Sequence, residues 1–180
     1  MKTRLIVSVI ICALFGFSKS TAQTYYYNIT KTFYENGYTY QCDVPEYNLV
    51  TLYNANNIFV YQDMYYPDGS VYRYNGTNST MEADTWTKPK CFSIVNDAFS
   101  FAEKEKVIGE KITIRLIMSP QTGKVIEVNF EFMKNTPLAT IPVSVYRQME
   151  LKFKNEIWFV PTEEGKKLNY IMCGWVHKIE

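Results

Sequence analysis

The chain has 180 residues, long enough for one domain or two small ones, and its 19 basic and 18 acidic side chains leave a formal net charge of +1. This near balance argues against nucleic acid as a partner and against electrostatic attraction to a membrane surface.

The first 22 residues have the layout of a secretory signal peptide. Lys2 and Arg4 precede an apolar run from Leu5 to Phe17, and Ser20 and Ala22 are the small residues expected before a cleavage site. A run of about a dozen apolar residues is too short to span a bilayer comfortably. Cleavage after Ala22 would leave a net charge of about −2. We therefore expect a periplasmic or secreted protein with no transmembrane segment after signal cleavage.

Residues 23–90 predict an antiparallel β region that is rich in tyrosine. Thirteen of the 15 tyrosines lie between Tyr25 and Tyr74, in short β-prone runs separated by turn-forming residues. The predicted strands are Thr24–Thr30, Tyr38–Val44, Leu49–Tyr53, Ile58–Tyr66 and Val71–Tyr74. Pro67-Asp68-Gly69 is a hairpin signal between the last two runs. This region is expected to pack against the rest of the chain, with Asn75–Lys90 as the connector.

The second predicted unit, residues 91–180, begins with less regular signals. Cys91–Val95 is predicted as a strand. Asp97 is predicted to cap a short helix over Ala98–Val107, because Phe101, Glu105 and Ile108 are spaced three to four positions apart.

A β-hairpin is the strongest prediction in the chain. Apolar and polar residues alternate from Lys111 to Ser119, which is typical of a strand that is covered on one face. The segment Pro120–Gly123 ends this strand, and a return strand follows over Val125–Phe132. The residues predicted to face the core are Ile112, Ile114, Leu116 and Met118 on the first strand, and Ile126, Val128, Phe130 and Phe132, or their neighbours one position away, on the second.

An amphipathic helix over Val143–Lys154 follows, with Met149 and Phe153 directed towards the hairpin. Glu150 and Lys154 are predicted to form an exposed pair on its polar face. The last predicted strand is Leu168–Ile179, on which Asn169, Ile171, Cys173, Trp175 and His177 share one face.

The order of these elements, together with Gly123-Lys124-Val125, Phe159-Val160-Pro161 and Gly165, resembles the C-terminal domain of TonB over Lys111–Glu180. The resemblance implies a three-stranded sheet with a helix on one face, and a last strand that can serve as a partner-binding edge. A membrane anchor and a long proline-rich spacer are not apparent, so energy transduction is not expected. The whole chain is also similar to an uncharacterised secreted family of Gram-negative gut bacteria. The predicted fold class is α+β, with an N-terminal antiparallel β region followed by a TonB C-terminal-like β-β-α-β domain.

The side chains offer little support for catalysis. His177 follows Cys173 by four residues, and in a strand this spacing separates them by about 13 Å, too far for a nucleophile and its base. Cys42, Cys91, Cys173 and His177 do not have the spacings of a zinc site. We therefore expect no enzymatic activity, no cofactor and no metal.

The cysteines leave two alternatives open. In an oxidising compartment Cys42 and Cys91 could form a disulfide, whereas in the other interpretation all three cysteines after residue 22 are reduced and packed. Cys173 is expected to be a buried free thiol.

Three functional hypotheses follow. The first is a non-enzymatic binding module that docks a peptide or envelope protein by strand addition at an edge formed by Asn169, Ile171, Cys173 and Trp175. The alternative is a carbohydrate or small-ligand binder that uses an aromatic surface of Tyr65, Tyr66, Tyr72, Tyr74 and Trp86. The third is a cysteine-dependent enzyme built on Cys173 or Cys91.

Overall fold

The structure is a computed structural model and describes residues 24–180, so the predicted signal peptide lies outside the described residues. Its strands are β1 (Lys31–Glu35), β2 (Tyr38–Asp43), β3 (Leu49–Asn54), β4 (Lys111–Met118), β5 (Val125–Met133) and β6 (Ile171–Lys178). Its α-helices are α1 (Thr87–Asn96), α2 (Phe101–Val107) and α3 (Val143–Glu156). One antiparallel sheet of six strands, in the order β1-β2-β3-β5-β4-β6, makes this an α+β fold, as predicted.

The two halves of the chain share this sheet. β3 pairs with β5, and Leu52 lies opposite Phe130. The sheet is therefore wider than the three strands that the resemblance implies. The division predicted between residues 23–90 and 91–180 falls inside α1. One hydrophobic core lies between the helices and the sheet face turned towards them, which we call the inner face; it draws on Leu52, Phe130 and Tyr146, all fully buried.

The first hairpin begins later than predicted. Asn36 and Gly37 both have positive φ, 44° and 80°, which suits a tight two-residue turn between β1 and β2. The predicted strand Thr24–Thr30 is irregular in the structure. Tyr27 is buried in the core and its hydroxyl donates to the carbonyl of Ile141 at 2.9 Å, so this segment is held by side-chain contacts and not by strand pairing.

The predicted strands Ile58–Tyr66 and Val71–Tyr74 are also wrong, apart from a single bridge between Tyr65 and Val71. The loop after β3 instead crosses the outer face of the sheet. Its backbone N–H groups at Ile58 and Phe59 donate to the Glu127 carboxylate at 2.8 and 3.1 Å. Polar side chains of the sheet thus replace the strand partner that this segment lacks.

The predicted strand Cys91–Val95 is part of helix α1. Its buried residues Thr87, Cys91, Ile94 and Val95 recur every three to four positions, which is the period of a helix. The Asp84 carboxylate accepts hydrogen bonds from the N–H groups of Trp86 and Thr87 at 3.0 and 2.8 Å and so satisfies donors at the helix start. The next helix, α2, is capped by Ser100 rather than by the predicted Asp97.

The hairpin of β4 and β5 is confirmed, and so is the helix α3. A β-bulge beside Met118 adds one residue to β5 and shifts its register. Val125 is therefore buried and the predicted core residue Ile126 is half exposed, whereas Val128, Phe130 and Phe132 face the core as predicted.

Candidate functional site

Strand β6 lies at one end of the sheet and pairs only with β4. The Ile179 N–H donates to the carbonyl of Glu110 at 3.0 Å, which shows that the backbone groups of the odd-numbered residues of β6 point towards β4. In an antiparallel pair every second residue directs its N–H and C=O away from its partner. On β6 these residues are Met172, Gly174, Val176 and Lys178. Within residues 24–180 no other strand pairs with them, and we call this row of free backbone groups the β6 edge.

Each face of the sheet has a depression beside the β6 edge. On the inner face an apolar cavity of about 140 Å³ is lined chiefly by Phe92 of α1, Phe159, and Cys173 and Trp175 of β6. The Trp175 indole N–H is buried and has no hydrogen-bond partner within the described chain. On the outer face, Arg115, Met172 and Val176 line a shallow depression of about 380 Å³.

The predicted edge residues occupy different positions. Cys173 and Trp175 line the apolar cavity, and Ile171 is buried in the core. Asn169 precedes β6, and its backbone N–H and side-chain oxygen both bond to the backbone of Tyr65, at 3.0 and 2.8 Å. Asn169 therefore fastens a loop instead of extending the edge.

The predicted aromatic surface is divided between separate contacts. Tyr66 lies 6.2 Å from Tyr72, measured between ring centroids, and their hydroxyls donate within the chain to Glu164 and to the carbonyl of Asn78. Tyr65 is held by Asn169, and Tyr74 is exposed. Trp86 instead packs against Trp158, with ring centroids 4.4 Å apart. The hydroxyls of Tyr66 and Tyr72 are therefore engaged within the chain.

Cys42 and Cys91 are not joined by a disulfide, so of the two alternatives the disulfide is wrong and these cysteines are free thiols. Cys42 lies on β2, whereas Cys91 lines the cavity beside β6, four strands away in the sheet order. At about 4.8 Å per strand the two elements are roughly 19 Å apart, and a disulfide needs Cα atoms within about 7 Å. Burial raises the pKa of both thiols to about 12, which disfavours the reactive thiolate.

His177 is buried and its Nε2 atom lies 3.0 Å from the side-chain oxygen of Asn96. Burial lowers its pKa below the ordinary value of 6.5. Within the part of the chain that the structure describes, no group of three or more His, Cys, Asp or Glu side chains is arranged to hold a metal ion. The helices of residues 24–180 include none long and apolar enough to cross a membrane.

A buried charge cluster on α3 was not predicted. Glu150, expected on the exposed face, is fully buried and accepts hydrogen bonds from Arg147 at 2.6 Å, from Lys154 at 2.7 Å and from the Tyr40 hydroxyl. Burial alone would raise the pKa of Glu150, but the bonds from Lys154, Tyr40 and Arg147 bring it below the ordinary 4.5. The signal was in the sequence: Val143, Tyr146, Glu150 and Phe153 follow a three-four spacing, which places Glu150 on the apolar stripe.

Two comparisons with known proteins identify similar chains, and both name the same family. The family model of a domain of unknown function, DUF5043, matches residues 23–175. The crystal structure of a DUF5043 family protein from Bacteroides uniformis ATCC 8492, at 1.85 Å resolution, is 40% identical and has a TM-score of 0.82; the alignment covers 90% of this chain and 98% of that chain. No curated protein matches the chain. Both matches name DUF5043 rather than TonB.

Proposed function

Since the chain belongs to the DUF5043 family, a domain of unknown function, we propose its function from geometry: it is a non-enzymatic module that docks an extended peptide at the β6 edge. The observation that carries this proposal is the row of free backbone groups at Met172, Gly174, Val176 and Lys178. A peptide strand is the ligand that fits such a row, because its own N–H and C=O groups have the same spacing.

The two depressions beside the edge support the same ligand. Side chains of an added strand point alternately to the two faces of a sheet. One set would enter the apolar cavity at Phe92, Phe159 and Trp175, where the Trp175 N–H would find an acceptor. The other set would lie over Arg115 and Val176.

The charges at the site favour an acidic peptide. Lys88 lines the inner cavity and the exposed Lys178 belongs to the β6 edge, whereas Arg115 in the outer depression is already paired with Glu131 at 3.1 Å. We therefore propose a peptide that places a large apolar side chain in the inner cavity and carries acidic residues nearby. A TonB-like role for the last strand and a location in the cell envelope or outside the cell belong to this proposal.

The test is selection from a random peptide library against residues 24–180, followed by titration of the selected peptides. Val176→Pro removes one N–H donor of the β6 edge without removing a bond to β4, because that N–H points outward. Val176→Thr is the matched control, which keeps the N–H and a β-branched side chain. We expect Val176→Pro to weaken binding by about tenfold or more and Val176→Thr to bind within about threefold of the parent.

Thermal unfolding would first establish that both variants are folded. Equal binding by Val176→Pro and Val176→Thr would contradict strand addition. Selection that yields no saturable peptide would contradict the peptide-docking function itself.

A second candidate is carbohydrate binding at the paired indoles of Trp86 and Trp158. The supporting observation is that Trp86 remains 37% exposed and Trp158 52% exposed although the two rings are in contact. Sugar rings pack on such exposed aromatic faces. A glycan array followed by titration of Trp158→Ala tests it: a glycan that loses its affinity in this variant supports the candidate, and an array without saturable binding contradicts it.

A further inference from the structure

A second cavity lies away from the β6 edge, where the sheet is incomplete. β3 ends at Asn54, but β5 continues past it towards Val125. The carbonyl of Val128 therefore lacks a strand partner, and the side-chain amide of Asn57 donates to it at 3.1 Å. The resulting gap, which we call the notch, is a cavity of about 490 Å³ bounded by residues 54–59, the start of β5 and one side of α3.

Two cations, Arg147 and Lys154, line the notch and are oriented by a buried carboxylate. Arg147 and Lys154 each bond to the buried Glu150, at 2.6 and 2.7 Å, while their own side chains remain 24% and 28% exposed. One carboxylate thus orients two cations, and both keep N–H donors that Glu150 does not use. Glu127 is the carboxylate in the lining of the notch, and it accepts backbone N–H bonds from Ile58 and Phe59.

The rest of the lining combines three asparagines with four apolar side chains, of which Ile58, Ile126 and Leu151 are exposed. Ile126 is turned out of the core by the β-bulge, and Ile58 and Leu151 lie exposed beside it. Bulges occur often next to functional sites, where they redirect a side chain. An exposed apolar wall facing a pair of oriented cations has the chemistry of a site for a ligand with one anionic and one apolar end.

We propose that the notch binds a small organic anion, with its carboxylate or phosphate on Arg147 and Lys154 and its apolar part against Leu151 and Ile126. Arg147 offers the planar fork that pairs with two anion oxygens, and Lys154 adds a point charge. The side-chain amide of Asn56 lies in the same lining and can donate to the ligand. Glu150 acts as a positioning residue, because it holds both cations without touching the ligand.

This site is independent of peptide docking at the β6 edge, because the notch lies between β3 and α3 while β6 forms the far end of the sheet. Loss of one activity leaves the other intact. Val176→Pro is therefore expected to bind the anion as the parent does.

The test uses three probes and two variants of residues 24–180. The probes are hexanoate, phenyl phosphate and the neutral hexanamide, titrated while backbone amide resonances are recorded. Leu151→Glu places a negative charge in the notch, and Leu151→Gln is its uncharged control of the same size. Leu151 is 41% exposed, so both variants are expected to fold.

We expect saturating shifts at residues 54–59 and 147–154 with at least one anion, at least tenfold weaker binding of hexanamide than of that anion, and about tenfold weaker anion binding in Leu151→Glu than in Leu151→Gln. The preference between hexanoate and phenyl phosphate identifies the anionic group. Equal binding of hexanamide and that anion, equal binding by the two variants, or the absence of saturating shifts would overturn the proposal.

Discussion

Replacement of Glu150 by glutamine is the most direct test of the energetics of this fold. The side chain is fully buried, and it accepts charged hydrogen bonds from Arg147 and Lys154 together with one from the Tyr40 hydroxyl. Glu150→Gln keeps the volume and shape of the side chain but removes the charge. Arg147 and Lys154 then lose their buried partner, while the packing around α3 changes little.

The structure sets the size of the effect. The bonds to Arg147 and Lys154 are short, at 2.6 and 2.7 Å, and a hydrogen bond to a charged group contributes about 1.5–3 kcal/mol. Both cations are partly exposed and recover some hydration in the variant, so we expect a loss of about 3 kcal/mol in the free energy of unfolding. For a chain of this length that corresponds to a fall in Tm of about 6–12 °C.

The effect also depends on pH. Because the pKa of Glu150 is lowered below 4.5 in the folded chain, its carboxylate stabilises the fold above that value and ceases to do so as the pH falls through the lowered pKa. The difference in stability between the parent and Glu150→Gln should therefore be constant near neutral pH and shrink in acid.

Urea unfolding of residues 24–180 would measure this loss. Glu163→Gln is the matched control, because Glu163 also bonds a lysine, Lys166, but has a side chain that is 87% exposed. Exposed ion pairs contribute little, so we expect the control to change stability by less than about 0.5 kcal/mol. A Glu150→Gln variant as stable as the control would refute the view that the buried cluster stabilises the fold.

Three further predictions concern the turn, the histidine and the thiols. Gly123→Ala should cost about 2–3 kcal/mol in a urea titration, because φ is +67° and the new Cβ would lie 1.7 Å from the carbonyl oxygen of Phe159; an unchanged midpoint would contradict this. Since burial lowers the pKa of His177, stability should fall as the pH drops below 6.5, and His177→Gln should flatten this slope; equal slopes would contradict it. Cys42 and Cys91, whose pKa burial raises to about 12, should react with a thiol probe more slowly in the native chain than in urea, and equal rates would show that they are accessible.

Much of the second half of the fold could be predicted because its signals are local. The alternation along β4, the turn at Gly123 and the amphipathic pattern of α3 each depend on residues close together in the chain. The edge position of β6 was implied only by the order of the elements and their resemblance to TonB. The structure places β6 at the end of the sheet beside β4.

The first half was harder to predict because its backbone N–H groups form hydrogen bonds with residues that are distant in the sequence. The tyrosine-rich segment after β3 has strand-like composition, yet it crosses the outer face of the sheet and bonds to Glu127, nearly 70 positions later. Cys91–Val95 could be interpreted either as a short strand or as part of a helix, since a short apolar run does not distinguish them. The cap at Asp84 and the packing of α1 beside β6 favour the helix.

The fold class, the β4–β5 hairpin and α3 could be predicted from the residues alone, because hydrophobic period and turn chemistry are encoded over a few neighbouring residues. The pairing of β3 with β5, the burial of Glu150 with two cations and the open notch became apparent only in the folded chain. These features depend on which distant segments meet in the fold. The charge of Glu150 can remain buried because two cations from its own helix and the Tyr40 hydroxyl from β2 bond to it together.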